Sequence, residues 1–136
     1  MPVRFWSTFG LALDGSRGRP AFGAHPVTRL VFNLPLGKHR LRTVVELPSA
    51  SYTTDTGSNQ RTDGVEITLS ALGVGETSVL YTRLLDPLNR QSDRGPQVLS
   101  IDFSLMKAGE VELFFGPGPQ GRDTRDWITV GPLVIN

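Results

Sequence analysis

Residues 64–70 read Gly-Val-Glu-Ile-Thr-Leu-Ser, the clearest strand pattern in the chain. The apolar residues Val65, Ile67 and Leu69 alternate with polar ones. Because successive side chains of a β-strand point to opposite faces, this alternation predicts a strand with one face on a core and the other in solvent. Strands of this kind are typical of antiparallel sheets.

The same period of two recurs along the chain, between glycines and prolines that number 15 and 10. No segment between them has an apolar period of 3.6, so no long helix is expected. Short strands without intervening helices predict an all-β fold, a single antiparallel β-sandwich of jelly-roll type. The predicted strands are 27–34, 39–47, 64–70, 77–85, 97–103, 109–115 and 127–135, the last interrupted at Gly131-Pro132, with 19–23 as an eighth candidate.

The length and composition indicate one globular domain. A chain of 136 residues fits a single domain over residues 1–136, in which we expect residues 1–20 to form a loosely packed lead-in. Hydrophobic residues make up 38% and charged residues 20%, with a net charge of +1, so the chain is not a polycation and no nucleic-acid partner is expected. The lack of cysteine excludes disulfides, thiolate zinc sites and cysteine nucleophiles.

The sequence contains no apolar stretch approaching the roughly 20 residues of a membrane span, so we expect no insertion into a membrane. The first residues, Met-Pro-Val-Arg-Phe-Trp, lack the long apolar run of a secretory signal. If the chain is complete, these features predict a cytoplasmic protein. If it is a domain excised from a membrane protein, an extracytoplasmic location is expected instead.

Three polar segments are longer than hairpin turns: 49–62, 86–96 and 116–125. Long loops in a compact domain often carry function, because a rigid scaffold positions them at the surface. We therefore expect any binding surface to be formed by these loops.

The arrangement of titratable residues argues against an enzyme. Only two histidines are present, His25 and His39, and neither lies beside a Gly-x-Ser-x-Gly nucleophile motif. Asp123 and Asp126 lie in a loop with Arg122 and Arg125, which favour the ionised carboxylate, whereas a glycosidase proton donor needs a raised pKa. No catalytic residue is predicted.

Residues 55–66 place Asp, Asn, Asp and Glu at four ligand positions of an EF-hand loop. Gln60 occupies the position that requires glycine, and strands rather than helices flank the segment, so it is not an EF-hand. A looser calcium site in the Ser49–Asp63 loop is an alternative that we do not favour, and we predict neither a metal site nor a cofactor.

Several short phrases occur in a distinctive order over roughly residues 21–136. They are Ala-His-Pro at 24–26, Asp-Gly-Val-Glu at 63–66, Arg-Leu-Leu-Asp-Pro at 83–87, Arg-Gly-Pro-Gln at 94–97, Pro-Gly-Pro at 117–119 and Asp-Trp at 126–127. This succession resembles the galactose-binding-like jelly rolls related to the carbohydrate-binding modules called NPCBM. That group includes copies attached to bacterial membrane proteins such as glycosyltransferases.

The resemblance implies a non-catalytic, carbohydrate-binding-like accessory module, with a glycan or sugar as ligand, within a larger protein. Trp127 would be a stacking platform, although a tryptophan at the start of a last strand more often fills the core. The alternative function is a structural or protein-interaction β-sandwich without a small-molecule ligand. The residues carried over as ligand-binding are Asp63, Arg83, Asp86, Arg94, Asp126 and Trp127.

Overall fold

The structure, a computed structural model, describes residues 4–7, 11–13, 22–24, 27–49, 52, 62–73, 75–119 and 128–136, the first three segments as backbone. These residues form eleven β-strands and one 3₁₀ turn, Gln91–Asp93. The strands are β1 (Arg4–Ser7), β2 (Leu11–Leu13), β3 (Phe22–Ala24), β4 (Thr28–Leu34), β5 (Gly37–Glu46), β6 (Val65–Leu72), β7 (Thr77–Leu85), β8 (Gln97–Leu105), β9 (Gly109–Pro117), β10 (Ile128–Val130) and β11 (Val134–Ile135).

The strands form two antiparallel sheets. The first sheet has five strands in the order β1-β4-β9-β6-β7. The second has six strands, in which β8 pairs with one edge of β5, and β10 and β11 pair with its other edge. Strands β3 and β2 extend this sheet beyond β10.

The last strand is divided at Gly131-Pro132, as the sequence predicts. Val130 pairs with Val45 and Val134 with Arg42, so β10 and β11 follow the same edge of β5. Proline has no N–H to donate to a sheet, which separates the two pieces. The Gly131 N–H still donates to Val44 O at 2.7 Å and keeps the interruption against β5.

The core lies between the inner faces of the two sheets. Alternate residues of β5, β6, β8 and β9 are buried there, and most of their neighbours are exposed or half-buried, as the period of two requires. Phe115 of β9 is the largest fully buried side chain. Others that are fully buried include Leu41, Val45, Ile67, Leu69, Leu99 and Leu113.

The predicted all-β antiparallel sandwich is confirmed. Strands β1 and β2 lie in the segment expected to be a lead-in, and each pairs with a sheet. They contain only four and three residues, too few for a period of two to stand out. The strand expected at 19–23 lies instead at Phe22–Ala24. Within the described ranges, no helix is long and apolar enough to cross a membrane.

Candidate functional site

Three strand ends meet at one end of the sandwich. Val65, the first residue of β6, pairs with Leu85, the last of β7, and with Pro117, the last of β9. The segments that precede β6 and follow β7 and β9 therefore leave the sheet side by side. We call this the loop end.

Asp63 lies in the tight turn that enters β6. Gly64 has a φ of +104°, and its N–H donates to Thr62 Oγ1 at 2.9 Å. A Cβ at Gly118 would clash with the carbonyl oxygen of Asp63, so the chain after β9 passes directly over this turn. Asp63 is 8% exposed and hence lies beneath the surface of the loop end.

Arg83 and Asp93 lock the loop that follows β7. Asp93 is only 5% exposed, and its Oδ1 accepts a hydrogen bond of 2.9 Å from Arg83 Nη2. Its Oδ2 accepts from the Asp86 N–H at 2.9 Å and lies 3.2 Å from Arg90 Nε. Arg83 Nη2 also donates to Gln97 Oε1 at 2.8 Å. Arg83 thus ties the loop to β7 and β8 rather than facing a ligand.

The same contacts set the charge of Asp93. Burial alone would raise the pKa of this carboxyl, but the hydrogen bonds from Asp86 N–H and Arg83 and the charges of Arg90 and Arg83 outweigh it. The pKa of Asp93 therefore lies below its usual value. The group is ionised at neutral pH and cannot act as a proton donor there.

Asp86 and Asn89 form a polar turn at the surface. The Asn89 side-chain amide donates to Asp86 Oδ2 at 3.1 Å, and the Asn89 N–H donates to Oδ1 at 3.3 Å. The Arg90 N–H closes the turn on Asp86 O at 2.9 Å. Asp86 is half-buried and Asn89 exposed, so a carboxylate and an amide are presented together to solvent.

Arg94 connects this loop with the one that precedes β6. Its Nε donates to Pro87 O at 2.7 Å, and its guanidinium carbon lies 5.1 Å from the centroid of the Tyr52 ring. The residue is exposed, and no ion pair of Arg94 is found among the described residues. A hydrogen bond and a cation–π contact therefore orient a guanidinium whose terminal NH₂ groups remain for a ligand.

The sequence prediction missed Tyr52 and Asn89. Tyr52 is the aromatic residue in the polar segment 49–62, and that isolated position is the signal that could have identified it. Asn89 could have been identified by its place three residues after Asp86, a spacing at which an Asp side chain caps a turn.

The loop end thus brings together Asp86 and Arg94 of the predicted set. Asp63 is buried in the turn before β6, and Arg83 bonds to Asp93 and Gln97. Asp126 and Trp127 lie outside the described residues. Most of the Ser49–Asp63 loop, for which calcium was considered, also lies outside them.

Another aromatic contact lies on the outer face of the five-stranded sheet. The Phe114 ring fills the place that a Cβ of Gly116 would occupy. The Arg29 guanidinium lies 4.4 Å from the centroid of this ring, and its Nη1 donates to Glu112 Oε1 at 2.9 Å. The half-buried Phe114 ring is therefore covered on one face by an arginine that is itself paired.

No protein-family model matches the chain, and no curated protein matches it. Solved structures do. The CBM51 module of Clostridium perfringens GH95, in complex with methyl-galactose, has 11% identity and a TM-score of 0.62 over 100% of this chain and 94% of that one. The CBM22-1 xylan-binding domain of Paenibacillus barcinonensis Xyn10C has 9% identity and a TM-score of 0.58 over 97% and 84%.

A third structure contains the M60 catalytic domain and two CBM51 domains of C. perfringens ZmpB. It has 14% identity and a TM-score of 0.61 over 96% of this chain but only 14% of that one. At these identities the likeness concerns the fold. The chain has the β-sandwich fold of carbohydrate-binding modules.

Proposed function

We propose that the chain is a non-catalytic carbohydrate-binding module of NPCBM-like type, an accessory domain of a larger protein such as a glycosyltransferase. The observation that carries the proposal is the polar surface of the loop end, where Arg94, Asp86 and Asn89 converge beside Tyr52. It occurs on a fold that the chain shares with solved carbohydrate-binding modules.

The chemistry of these groups suits sugar hydroxyls. A carboxylate accepts hydrogen bonds, an amide both accepts and donates, and a guanidinium donates in a planar fork. An adjacent aromatic ring supplies the apolar contact that a pyranose needs. In this proposal Asp126 and Trp127 contribute from the third loop, and Asp63 and Arg83 hold the turns in place.

The absence of catalysis is part of the proposal. A glycosidase proton donor needs a raised pKa, whereas the pKa of Asp93 is lowered. We expect no hydrolysis of glycosides, esters or phosphoesters. Turnover above a buffer blank that disappears when one acidic residue is mutated would contradict this.

The alternative function, a structural or protein-interaction sandwich, is favoured by one observation. Arg83 donates to both Asp93 and Gln97, and these two also bond to the backbone of the loop, as in a loop that serves only as scaffold.

A glycan array followed by calorimetric titration of the full chain tests the proposal. We expect weak binding, with a Kd on the order of micromolar to millimolar, because the polar surface has few anchoring groups. Arg94→Gln and Asp86→Asn should each weaken binding about fivefold or more, since each loses a charged hydrogen-bonding group. Arg42→Gln, an exposed arginine on β5 away from the loop end, is the matched control and should bind as wild type does.

Melting temperatures of all variants should stay near that of the wild type, which separates lost binding from lost folding. If a glycan binds and both loop variants retain full affinity, the site lies elsewhere. If no glycan binds, the carbohydrate-binding proposal is contradicted.

A further inference from the structure

A groove of about 600 Å³ opens at the opposite end of the sandwich. It lies where β5 begins and β8 ends, because Gly37 pairs with Leu105 there. The other end of this strand pair, where Val45 pairs with Gln97, leads to the loop end. We call the 600 Å³ groove the β5–β8 groove. The residues that matter for its chemistry are Lys38, His39, Arg40, Asp102, Ser104 and Asn136.

The strand register places polar side chains of the groove on one face. Lys38 is directly opposite Ser104, and Arg40 is directly opposite Asp102. Asn136 lies opposite Arg40 on the other edge of β5, since their N–H and C=O groups bond mutually at 3.1 and 3.3 Å. Directly opposed residues of antiparallel strands share a face, so all five project on the outer side of the six-stranded sheet.

Among the side chains that line the groove, the charges leave one cation in excess. Arg40 forms a two-pronged pair with Asp102, from Nε to Oδ1 at 2.6 Å and from Nη2 to Oδ2 at 3.2 Å. The hydrogen bond from Arg40 and its charge lower the pKa of the Asp102 carboxyl, so that this pair is fully ionised and neutral as a unit. Within the described ranges Lys38 has no ion pair.

Two further hydrogen-bond donors line the groove together with Lys38. The Ser104 hydroxyl and the Asn136 side-chain amide have no hydrogen-bond partner in the described part of the chain. An ammonium, a hydroxyl and an amide therefore border one groove, next to a neutralised pair. All three can donate to an anionic oxygen.

His39 makes the edge of the groove rigid. Its Nδ1 lies 3.1 Å from Asn136 O, and its Nε2 lies 2.7 Å from Pro35 O. Its ring centroid is 5.5 Å from that of Phe103. A neutral imidazole donates to one of these two oxygens, and the ring lies between Asn136 and the β4–β5 turn, so that the donors are positioned before a ligand arrives.

We propose that the β5–β8 groove binds an anionic group, a carboxylate or a sulfate ester, carried on a small polar molecule such as an acidic or sulfated sugar. Lys38 provides the charge, and Ser104 and Asn136 provide hydrogen bonds. The site is separate from the loop end and does not depend on the function proposed for it. Binding at such an open site is weak, with a Kd on the order of millimolar.

The test uses the fact that the chain contains two lysines, Lys38 and Lys107. Lys107 lies in the exposed turn after β8, outside the groove lining, and is a matched control. Reductive methylation with ¹³C keeps both charges and yields one NMR signal for each lysine, assigned with Lys38→Gln and Lys107→Gln. The full chain is then titrated with sodium sulfate, sodium glucuronate and neutral glucose, at ionic strength held constant with sodium chloride.

Saturable movement of the Lys38 signal with glucuronate or sulfate, with Lys107 and the glucose titration unchanged, supports the site. The salt that causes it shows whether a carboxylate or a sulfate is bound. In ¹⁵N spectra, Lys38→Gln should weaken the response of the Ser104 and Asn136 amides about fivefold, and Lys107→Gln should leave it unchanged.

Equal movement of both lysine signals would mean general screening and overturn the proposal. A response to glucose of the same size, or no saturation, would overturn it as well. Arg94→Gln should leave groove binding unaltered, so a failure here is distinguishable from a failure of the loop site. An unchanged melting temperature confirms that Lys38→Gln is folded.

Discussion

Among single residues, Gly64 and Gly95 show how the same backbone conformation can have different consequences. Both have positive φ, +104° and +77°. A Cβ at Gly64 would lie 2.8 Å from Leu85 O, whereas nothing lies within 4 Å of a Cβ at Gly95. We expect Gly95→Ala to cost about 1 kcal/mol of unfolding free energy, from backbone strain alone.

Gly64→Ala adds a backbone collision to that strain and should cost about 3 kcal/mol or more. Urea denaturation of the two variants beside the wild type measures the difference. Equal losses would show that the approach of β7 to Gly64 does not constrain this turn.

Single residues also show which parts of the candidate site the sequence could predict. Asp86 and Arg94 were identified by their motifs, and both lie at the loop end. Asp93 was not identified from the sequence, because nothing near it in the chain indicates that Arg83, ten residues earlier, comes within 2.9 Å of it. The only local signal for Tyr52 is its isolated position in a polar segment, and its contact with Arg94 joins separate loops.

Among the structural elements, the loop from β7 to β8 is organised by a buried carboxylate, and its stability should depend on pH. The folded-state pKa of Asp93 is below the unfolded value of about 3.9. Its stabilisation is therefore fully present above that unfolded value and is lost as the pH falls through the folded pKa.

Asp93→Asn should lose about 2 kcal/mol at pH 7, since a hydrogen-bonded charge is removed beside two arginines. The variant should also show a smaller decrease in unfolding free energy as the pH falls below 5. Urea denaturation over a pH series measures this decrease. Asp102→Asn is the control, because Asp102 also has a lowered pKa but lies in an exposed pair that is screened by solvent. A wild-type pH profile in Asp93→Asn would refute this role of Asp93.

For the whole molecule, the shared core predicts that both sheets unfold together. Phe115 is fully buried among residues from both sheets. Phe115→Ala should cost about 3–5 kcal/mol and lower the Tm by about 10–20 °C. Near-UV and far-UV circular dichroism should report the same transition in wild type and variant.

Val79→Ala, at a side chain of β7 that is 63% exposed, is the control and should change the unfolding free energy by about 0.5 kcal/mol or less. Two separate transitions in the wild type would show that the sheets are independent units.

The alternation of apolar and polar residues was enough to establish strands β5, β6, β8 and β9, because a period of two is local and is repeated over seven or more residues. The apolar content of β4 and β7 and the Gly131-Pro132 break in the last strand are also local signals, and together they established the all-β class. The order of the strands was not predictable, since it depends on pairings such as that of Thr28 with Phe115. The two ends of the sandwich were likewise defined by register. Register brings Val65 beside Leu85 and Pro117 at one end and Lys38 beside Ser104 at the other, through contacts between residues distant in the chain that no local pattern encodes.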